Sequence, residues 1–167
     1  MTKISVKTIA ENAIIAALYC AVTIAAAPLS YMGMQFRIAE ILVLLVFWRP
    51  DFIFGLTLGC FLSNIPSSLG AWDMLFGTLA TLISVVLIAY CSPRLWVACI
   101  YPIVINAFVV GAELYFILDL DFWLNVGLVA AGETTVIVGG YIIWFALMKN
   151  RGFFAFLQPT KHQSVKY

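Results

Sequence analysis

Long apolar blocks alternate with short polar stretches along this chain, and the pattern predicts six helices. The apolar runs cover about residues 10–30, 38–48, 52–64, 73–90, 95–118 and 122–148. Proline, glycine, serine and aspartate dominate the stretches between them, as is typical of turns. Runs this apolar on every face are typical of helices in lipid. We therefore predict an all-α integral membrane protein, a compact bundle of six transmembrane helices.

Composition supports a membrane protein and bounds its organisation. The 167 residues are 64% hydrophobic and 10% charged, with a mean hydropathy of +1.06. A soluble domain is about 45–50% apolar and about 25% charged. We predict one membrane-embedded domain over residues 1–150 and a polar cytoplasmic tail over residues 151–167. The net charge of +1 argues against a nucleic-acid partner.

The basic residues predict the orientation of the bundle. Six spans place both termini on one side of the membrane, and cytoplasmic loops are enriched in lysine and arginine. Arg37 is the one basic residue on the opposite side. The other eight lie on the side of the termini: Lys3, Lys7, Arg49, Arg94, Lys149, Arg151, Lys161 and Lys166. We therefore expect both termini in the cytoplasm.

Polar residues gather in the outer half of the predicted bundle. Glu113 and Glu133 lie roughly 9 Å and 16 Å inside the outer ends of their helices, at about 1.5 Å per residue. Ionisable residues at such depth are costly and by default mark a functional site. Asn106 precedes Glu113 by two helical turns and shares its face. We predict an outward-facing pocket for a small polar molecule, formed by Gln35, Arg37, Glu40, Asn64, Trp72, Asp73, Asn106, Glu113 and Glu133.

Structural interpretations of the same residues stay open. Glu113 and Glu133 could hold helices together through hydrogen bonds. Asp73 is well placed to cap the fourth helix. Trp72 could stack on a flat ligand or belong, with Trp48 and Trp123, to an interfacial aromatic belt. Asp119 and Asp121 are typical of a solvated turn.

Small residues form two further patterns. Alanine recurs every four residues in the first helix, and such a stripe lets another helix approach closely. Its cytoplasmic end is a candidate docking surface for a partner subunit. Gly55 and Gly59 repeat the spacing in the third helix, where packing inside the bundle is the expected role. The stripe comprises Ala13, Ala17, Ala21 and Ala25.

Several sequence motifs are absent. The chain has no GxxxxGK[ST] loop, so we do not expect it to hydrolyse ATP itself. HExxH and GxSxG are missing, and the sole histidine, His162, lies in the predicted tail. The cysteines show no CxxC spacing and are interpreted as small buried packing residues, without a metal: Cys20, Cys60, Cys91 and Cys99. We expect neither enzymatic activity nor a bound cofactor.

Five segments resemble one family of membrane proteins. QFRIAE, GLTLGCFLSNI, LGAWDMLFGTLATLI, NAFVVGAEL and the Gly132-Glu133 pair resemble the QueT-type (queuosine-precursor) substrate-binding subunits, or S components, of energy-coupling factor transporters. The resemblance covers about residues 10–148. It departs from the family at Trp48-Arg49, which is bulkier and more charged than expected.

This resemblance implies a function and a set of partners. It implies a multi-pass subunit of a prokaryotic cell membrane that captures its ligand at the outer side. The partners would be a transmembrane coupling subunit and two ATPase subunits, which use the ATP. The family's Ala-xxx-Ala docking motif matches Ala13 and Ala17.

Two alternatives remain at this point. A hydroxymethylpyrimidine or pyridoxine-like ring is an alternative ligand on the same scaffold. A self-sufficient secondary transporter, coupled by protonation of Glu133 or Glu113, is an alternative class of protein, and a membrane enzyme ranks last.

Overall fold

The computed structural model describes residues 5–26, 37–67 and 69–160. Within these ranges the chain is helical and contains no strand. The α-helices are α1 (Val6–Ala25), α2 (Ile53–Ser63), α3 (Ala71–Cys91), α4 (Leu95–Leu118), α5 (Phe122–Lys149) and α6 (Arg151–Leu157). Two 3₁₀-helices lie between α1 and α2, namely η1 (Ile38–Phe47) and η2 (Pro50–Phe52).

Four helices are long and apolar enough to cross a bilayer: α1, α3, α4 and α5. Two shorter apolar helical regions, Ile38–Phe47 and Pro50–Ser63, complete the six predicted segments. The chain is therefore a multi-pass membrane protein. The count of six spans and the cytoplasmic termini stay predictions. The predicted end of the first helix at Ser30 lies outside the described residues.

The centre of the bundle is η1, which packs against α1, α3, α4 and α5. Seven of its ten residues are buried, so neighbours rather than lipid surround it. The sequence predicted a short helix over residues 38–48 with an α-helical rise, and the structure has a 3₁₀-helix over Ile38–Phe47 instead. A 3₁₀-helix rises about 2 Å per residue, so these ten residues extend over about 20 Å rather than about 15 Å. The tighter winding lets a short segment reach further through the bundle.

Tryptophan and cysteine side chains depart in part from their predicted places. Trp48 is fully buried, with its ring edge-on to that of Phe47 at 5.1 Å, so its assignment to an interfacial belt is wrong. Trp123 is exposed at the start of α5, where a belt residue is expected.

All four cysteines are free thiols. Cys60 and Cys99 are buried as predicted, whereas Cys91 is exposed and Cys20 is partly exposed.

Helices α1 and α2 pack backbone to backbone, as the glycine spacing predicted. A Cβ atom on Gly55 would lie 2.6 Å from the carbonyl oxygen of Asn12. A Cβ atom on Gly59 would lie 2.8 Å from the Cβ of Tyr19 and 2.9 Å from the carbonyl oxygen of Ala16. The buried face of α1 therefore carries these residues. Its opposite face is exposed and carries Ala13, Ala17, Ala21 and Ala25.

The segment after Lys149 differs from the polar tail that the sequence predicted. Residues 151–157 form α6, whose Leu157 is buried in the core. The carbonyl oxygen of Leu157 accepts a hydrogen bond from Arg49 at 2.8 Å. The backbone N–H of Thr160 donates to the carbonyl oxygen of Trp48 at 3.0 Å. Phenylalanines in this segment supply apolar surface that a purely solvated tail would lack.

A labelling experiment tests the orientation. In a variant without the native cysteines, Pro66→Cys is expected to react with an impermeant maleimide from outside the cell. Pro93→Cys is expected to react only after the membrane is opened, because it lies in a turn on the predicted cytoplasmic side. Both prolines are exposed, so access depends on the side of the membrane. Reversed labelling would contradict the orientation.

Candidate functional site

Seven of the nine predicted site residues are buried, each with at most 4% of its surface exposed. They are Arg37, Glu40, Asn64, Asp73, Asn106, Glu113 and Glu133. Five parts of the chain supply them: the start of η1, the end of α2, the first turn of α3, and the middle of α4 and of α5. Contacts and electrostatic interactions join them into one cluster, here called the polar cluster.

Arg37 and Asn64 form the first link of the polar cluster. The guanidinium Nη2 of Arg37 donates to Asn64 Oδ1 at 3.2 Å. Asn64 Nδ2 donates in turn to the carbonyl oxygen of Asp73 at 3.0 Å. Asn64 ends α2 and Asp73 belongs to the first turn of α3, so these bonds fix two helix ends to Arg37.

Asp73 is not the N-cap of α3 that the sequence predicted. Gly70 occupies that position, with φ +55° and ψ −117°, a conformation open to glycine because it lacks a Cβ. The helix therefore begins two residues earlier, at Ala71. The Asp73 carboxylate instead accepts a hydrogen bond from the hydroxyl of Ser67 and is buried.

Glu40 is held by hydroxyl groups from two neighbouring helices. The phenol of Tyr19 in α1 donates to Glu40 Oε1 at 2.5 Å. The hydroxyl of Thr81 in α3 lies 3.3 Å from the same oxygen. All three residues are at most 1% exposed. Oε2 of Glu40 has no hydrogen-bond partner among the described residues.

The two deep carboxyl groups each have an acidic neighbour. Glu113 in α4 interacts with Asp73, and Glu133 in α5 interacts with Glu40. Asn106 also lies beside Glu133. Both glutamates are buried in the bundle, as the sequence predicted from their depth.

Many polar atoms of the cluster have no hydrogen-bond partner among the described residues. They are Arg37 Nε, Glu40 Oε2, Asp73 Oδ1, both amide atoms of Asn106, both carboxyl oxygens of Glu113, and Glu133 Oε2. Buried polar groups are nearly always hydrogen-bonded in native proteins, and leaving one unpaired costs about 1–3 kcal/mol. A cluster with eight such atoms is therefore suited to receiving a polar molecule.

One predicted residue, Trp72, stands apart from this cluster. Trp72 is 51% exposed, and its ring stacks on that of Phe76 with centroids 6.1 Å apart. Its place beside Asp73 in the sequence does not bring the ring into the cluster. Gln35 lies outside the described residues.

The cluster also includes residues that sequence reasoning missed. Tyr19 and Thr81 hold Glu40, and Gly77 gives room to two side chains of the site. A Cβ atom on Gly77 would lie 2.7 Å from Asn64 Nδ2 and 3.0 Å from Arg37 Nη1. A signal for Tyr19 was available, because Asn12, Tyr19 and Thr23 are seven and four residues apart and share one face of α1.

Two cavities lie away from the polar cluster. One, of about 420 Å³, is an apolar groove between α1 and α2 that includes Ile9, Ala13, Phe54 and Leu58. The other, of about 440 Å³, lies beneath α6 and is bordered by Lys7 and Arg49 at its polar end. Neither was predicted from the sequence as a ligand site.

These features define a multi-pass helical membrane protein with a buried ionisable site between its helices, the arrangement that transporters use for their substrates. The chain belongs to the QueT transporter family, whose model matches residues 9–149. It is similar to the queuosine precursor transporter QueT of Lactococcus lactis subsp. cremoris (strain MG1363). The two chains are 29% identical over 162 residues, which cover 86% of this chain and 94% of that relative. No solved structure matches the chain.

Proposed function

We propose that this chain is the substrate-binding subunit of an energy-coupling factor importer. It captures a queuosine precursor at the outer side of the cell membrane. A transmembrane coupling subunit and two ATPase subunits then drive uptake. The polar cluster carries this proposal. Its buried polar atoms lack hydrogen-bond partners among the described residues, and the chain belongs to a transporter family.

The chemistry of the cluster suits such a ligand. Queuosine is a nucleoside of 7-deazaguanine, a flat base with several N–H donors and a carbonyl acceptor. The proposed binding residues are Arg37, Glu40, Asn64, Asp73, Asn106, Glu113 and Glu133, together with Gln35 and Trp72 from the sequence prediction. A hydroxymethylpyrimidine or pyridoxine-like ring stays an alternative ligand.

The exposed face of α1, opposite the face that packs against α2, supports the proposed partners. Ala13, Ala17 and Ala21 are exposed on this face, and the groove toward α2 lies beside Ala13. Small side chains let a helix of the coupling subunit approach the backbone of α1 closely. Ala13 and Ala17 lie toward the predicted cytoplasmic end of α1, away from the predicted ligand entrance.

Uptake in cells tests the proposal. Cells that lack their own uptake route are expected to accumulate a labelled 7-deazaguanine precursor when this chain is produced with the coupling subunit and both ATPases. Omitting the ATPases, or replacing their P-loop lysine, should reduce accumulation to background. Accumulation by this chain alone would contradict the proposed partners.

A proton-coupled secondary transporter is the second candidate function. The buried carboxyl groups of Glu113 and Glu133 favour it. Both oxygens of Glu113 and Oε2 of Glu133 have no hydrogen-bond partner among the described residues, and proton carriers use buried carboxyl groups. Vesicles containing this chain alone distinguish the two. A secondary transporter would concentrate the ligand when a pH gradient is imposed, whereas a capture subunit would bind it without sustained uptake.

Tyr19→Phe is expected to weaken ligand binding about tenfold, because Glu40 loses one of two hydroxyl partners that orient its carboxylate. A hydrogen bond to a charged group contributes about 1.5–3 kcal/mol, and about 1.4 kcal/mol is tenfold in Kd. Tyr101→Phe is the matched control, since the hydroxyl of Tyr101 bonds to Cys91 instead. If the two variants bind the ligand with equal affinity, Tyr19 does not contribute to the site.

Gly77→Ala is expected to weaken ligand binding while the bundle stays folded. The added methyl would displace the tips of Asn64 and Arg37, which are flexible side-chain atoms rather than backbone. Gly139→Ala is the control, because a Cβ there meets no atom within 4 Å. Binding titrations and thermal unfolding of both variants make the comparison. A Gly77→Ala protein with unchanged affinity would place Arg37 outside the ligand contacts.

A further inference from the structure

The thiol of Cys60 lies between two polar side chains of the cluster. Cys60 belongs to α2 and is fully buried. Its Sγ lies 3.6 Å from Nδ2 of Asn64, the residue that holds Arg37. The same sulfur lies 3.2 Å from Oγ1 of Thr81, the hydroxyl beside Glu40. The sequence predicted a packing role for Cys60, but these contacts make its thiol part of the polar cluster.

The number of hydrogens on each group gives these contacts a direction. The amide nitrogen of Asn64 carries two, one for the carbonyl oxygen of Asp73 at 3.0 Å and one for Cys60 Sγ. The hydroxyl of Thr81 carries one, although its oxygen lies within 3.3 Å of both Cys60 Sγ and Glu40 Oε1. A hydrogen bond to a carboxylate is the stronger of the two, so this hydrogen goes to Glu40. The oxygen of Thr81 is then left to accept the S–H of Cys60.

The contacts therefore form one directed chain between the guanidinium and the carboxylate of the cluster. Arg37 donates to Asn64, Asn64 to Cys60, Cys60 to Thr81, and Thr81 to Glu40. Hydrogen bonds that run head to tail polarise and strengthen one another. The chain starts at the N-cap of η1, passes through α2 and α3, and returns to the first turn of η1. It thus joins three elements around the site.

We propose that Cys60 and Thr81 are positioning residues of the ligand site. Through the chain they fix the carboxylate of Glu40 relative to the guanidinium of Arg37. They act through their neighbours and need not touch the ligand themselves. This inference rests on the proposed function, because it concerns the same site, and it adds two residues that support the binding groups.

Infrared spectroscopy tests the direction of the S–H bond without a ligand. The carbonyl oxygen of Gly77, 3.5 Å from Cys60 Sγ, is the competing acceptor. The measurement uses a variant in which the other cysteines are replaced by serine. Its S–H stretching band is expected to move to higher frequency on Thr81→Val, because the hydrogen loses its acceptor. An unmoved band would overturn the proposed chain.

Titrations with 7-deazaguanine test the positioning role. Cys60→Ala and Thr81→Val are each expected to raise the Kd about three- to tenfold, the effect of losing one neutral hydrogen bond. The double variant should bind about as well as the weaker single variant, because either change breaks the same chain. Cys99→Ala and Thr57→Val are the matched controls, since these side chains bond to carbonyl oxygens of their own helices. Their Kd should equal that of the wild-type protein.

Cys60→Ser separates positioning from packing. Serine keeps a donor and an acceptor at this place but is smaller than cysteine, so its Kd should return close to the wild-type value. The melting temperatures of the alanine and serine variants report on packing separately. A serine variant that binds as weakly as Cys60→Ala would overturn the inference and leave Cys60 as a packing residue. Failure of the wild-type protein to bind 7-deazaguanine would instead overturn the proposed function, and the S–H band would then decide whether the chain exists.

Discussion

Ala17→Trp is expected to abolish ATP-driven uptake without loss of ligand binding. Helices in lipid gain little from hydrophobicity when they meet, because lipid tails are equally apolar. Close contact between backbones is what stabilises the association, and it needs small side chains. Ala17 is exposed on α1, so an indole there would point away from this bundle, toward the proposed partner. Ala13→Trp is expected to act in the same way.

The measurements separate docking from folding. Copurification with the coupling subunit should fall at least tenfold for Ala13→Trp and Ala17→Trp, while ligand titrations match the wild-type protein. Val138→Trp is the matched control, because Val138 is 48% exposed on α5, within another apolar helix. Its assembly and uptake should be normal. Normal uptake by both alanine variants would show that the stripe contacts lipid only.

The sequence predicted the fold through its long apolar blocks. Hydropathy and turn residues placed α3, α4 and α5 to within two residues at each end, since lipid-exposed helices follow local composition. Periodicity could not reveal η1, because its conformation depends on burial by four surrounding helices. Residues 151–157 were assigned to a polar tail, although Phe153 and Phe154 pack against the bundle.

The site was predictable where a charge lies in an apolar helix. Glu113 and Glu133 stand out because such residues are costly in lipid and must face the interior. Gly77 was missed because its role is to leave room for Arg37 and Asn64, and their side chains come from other parts of the chain. Trp72 lies outside the cluster although its neighbour Asp73 enters it, because successive residues of a helix point in different directions.

Arg49→Met is expected to lower the free energy of unfolding by about 2–3 kcal/mol. The guanidinium is buried and bonds to Asp51 at 2.6 and 2.8 Å, to Glu11 at 2.5 Å, and to the carbonyl oxygen of Leu157. The hydrogen bonds with Asp51, then those with Glu11, raise the pKa of Arg49 above its ordinary value, so the group is always charged. Methionine fills similar volume but removes the cation beside Asp51 and leaves Glu11 with Lys7 alone, 3.7 Å away.

Arg49 joins three parts of the predicted cytoplasmic end: α1 through Glu11, η2 through Asp51, and α6 through Leu157. Its loss should therefore release α6 first. Thermal unfolding in detergent measures the stability, and limited proteolysis after Lys149 measures the release of the segment. Arg94→Met is the control, because Arg94 is exposed on the same predicted side. The Arg49 and Arg94 variants could instead show the same melting temperature and the same resistance to protease. Arg49, where the sequence departs from the family pattern, then does not anchor α6.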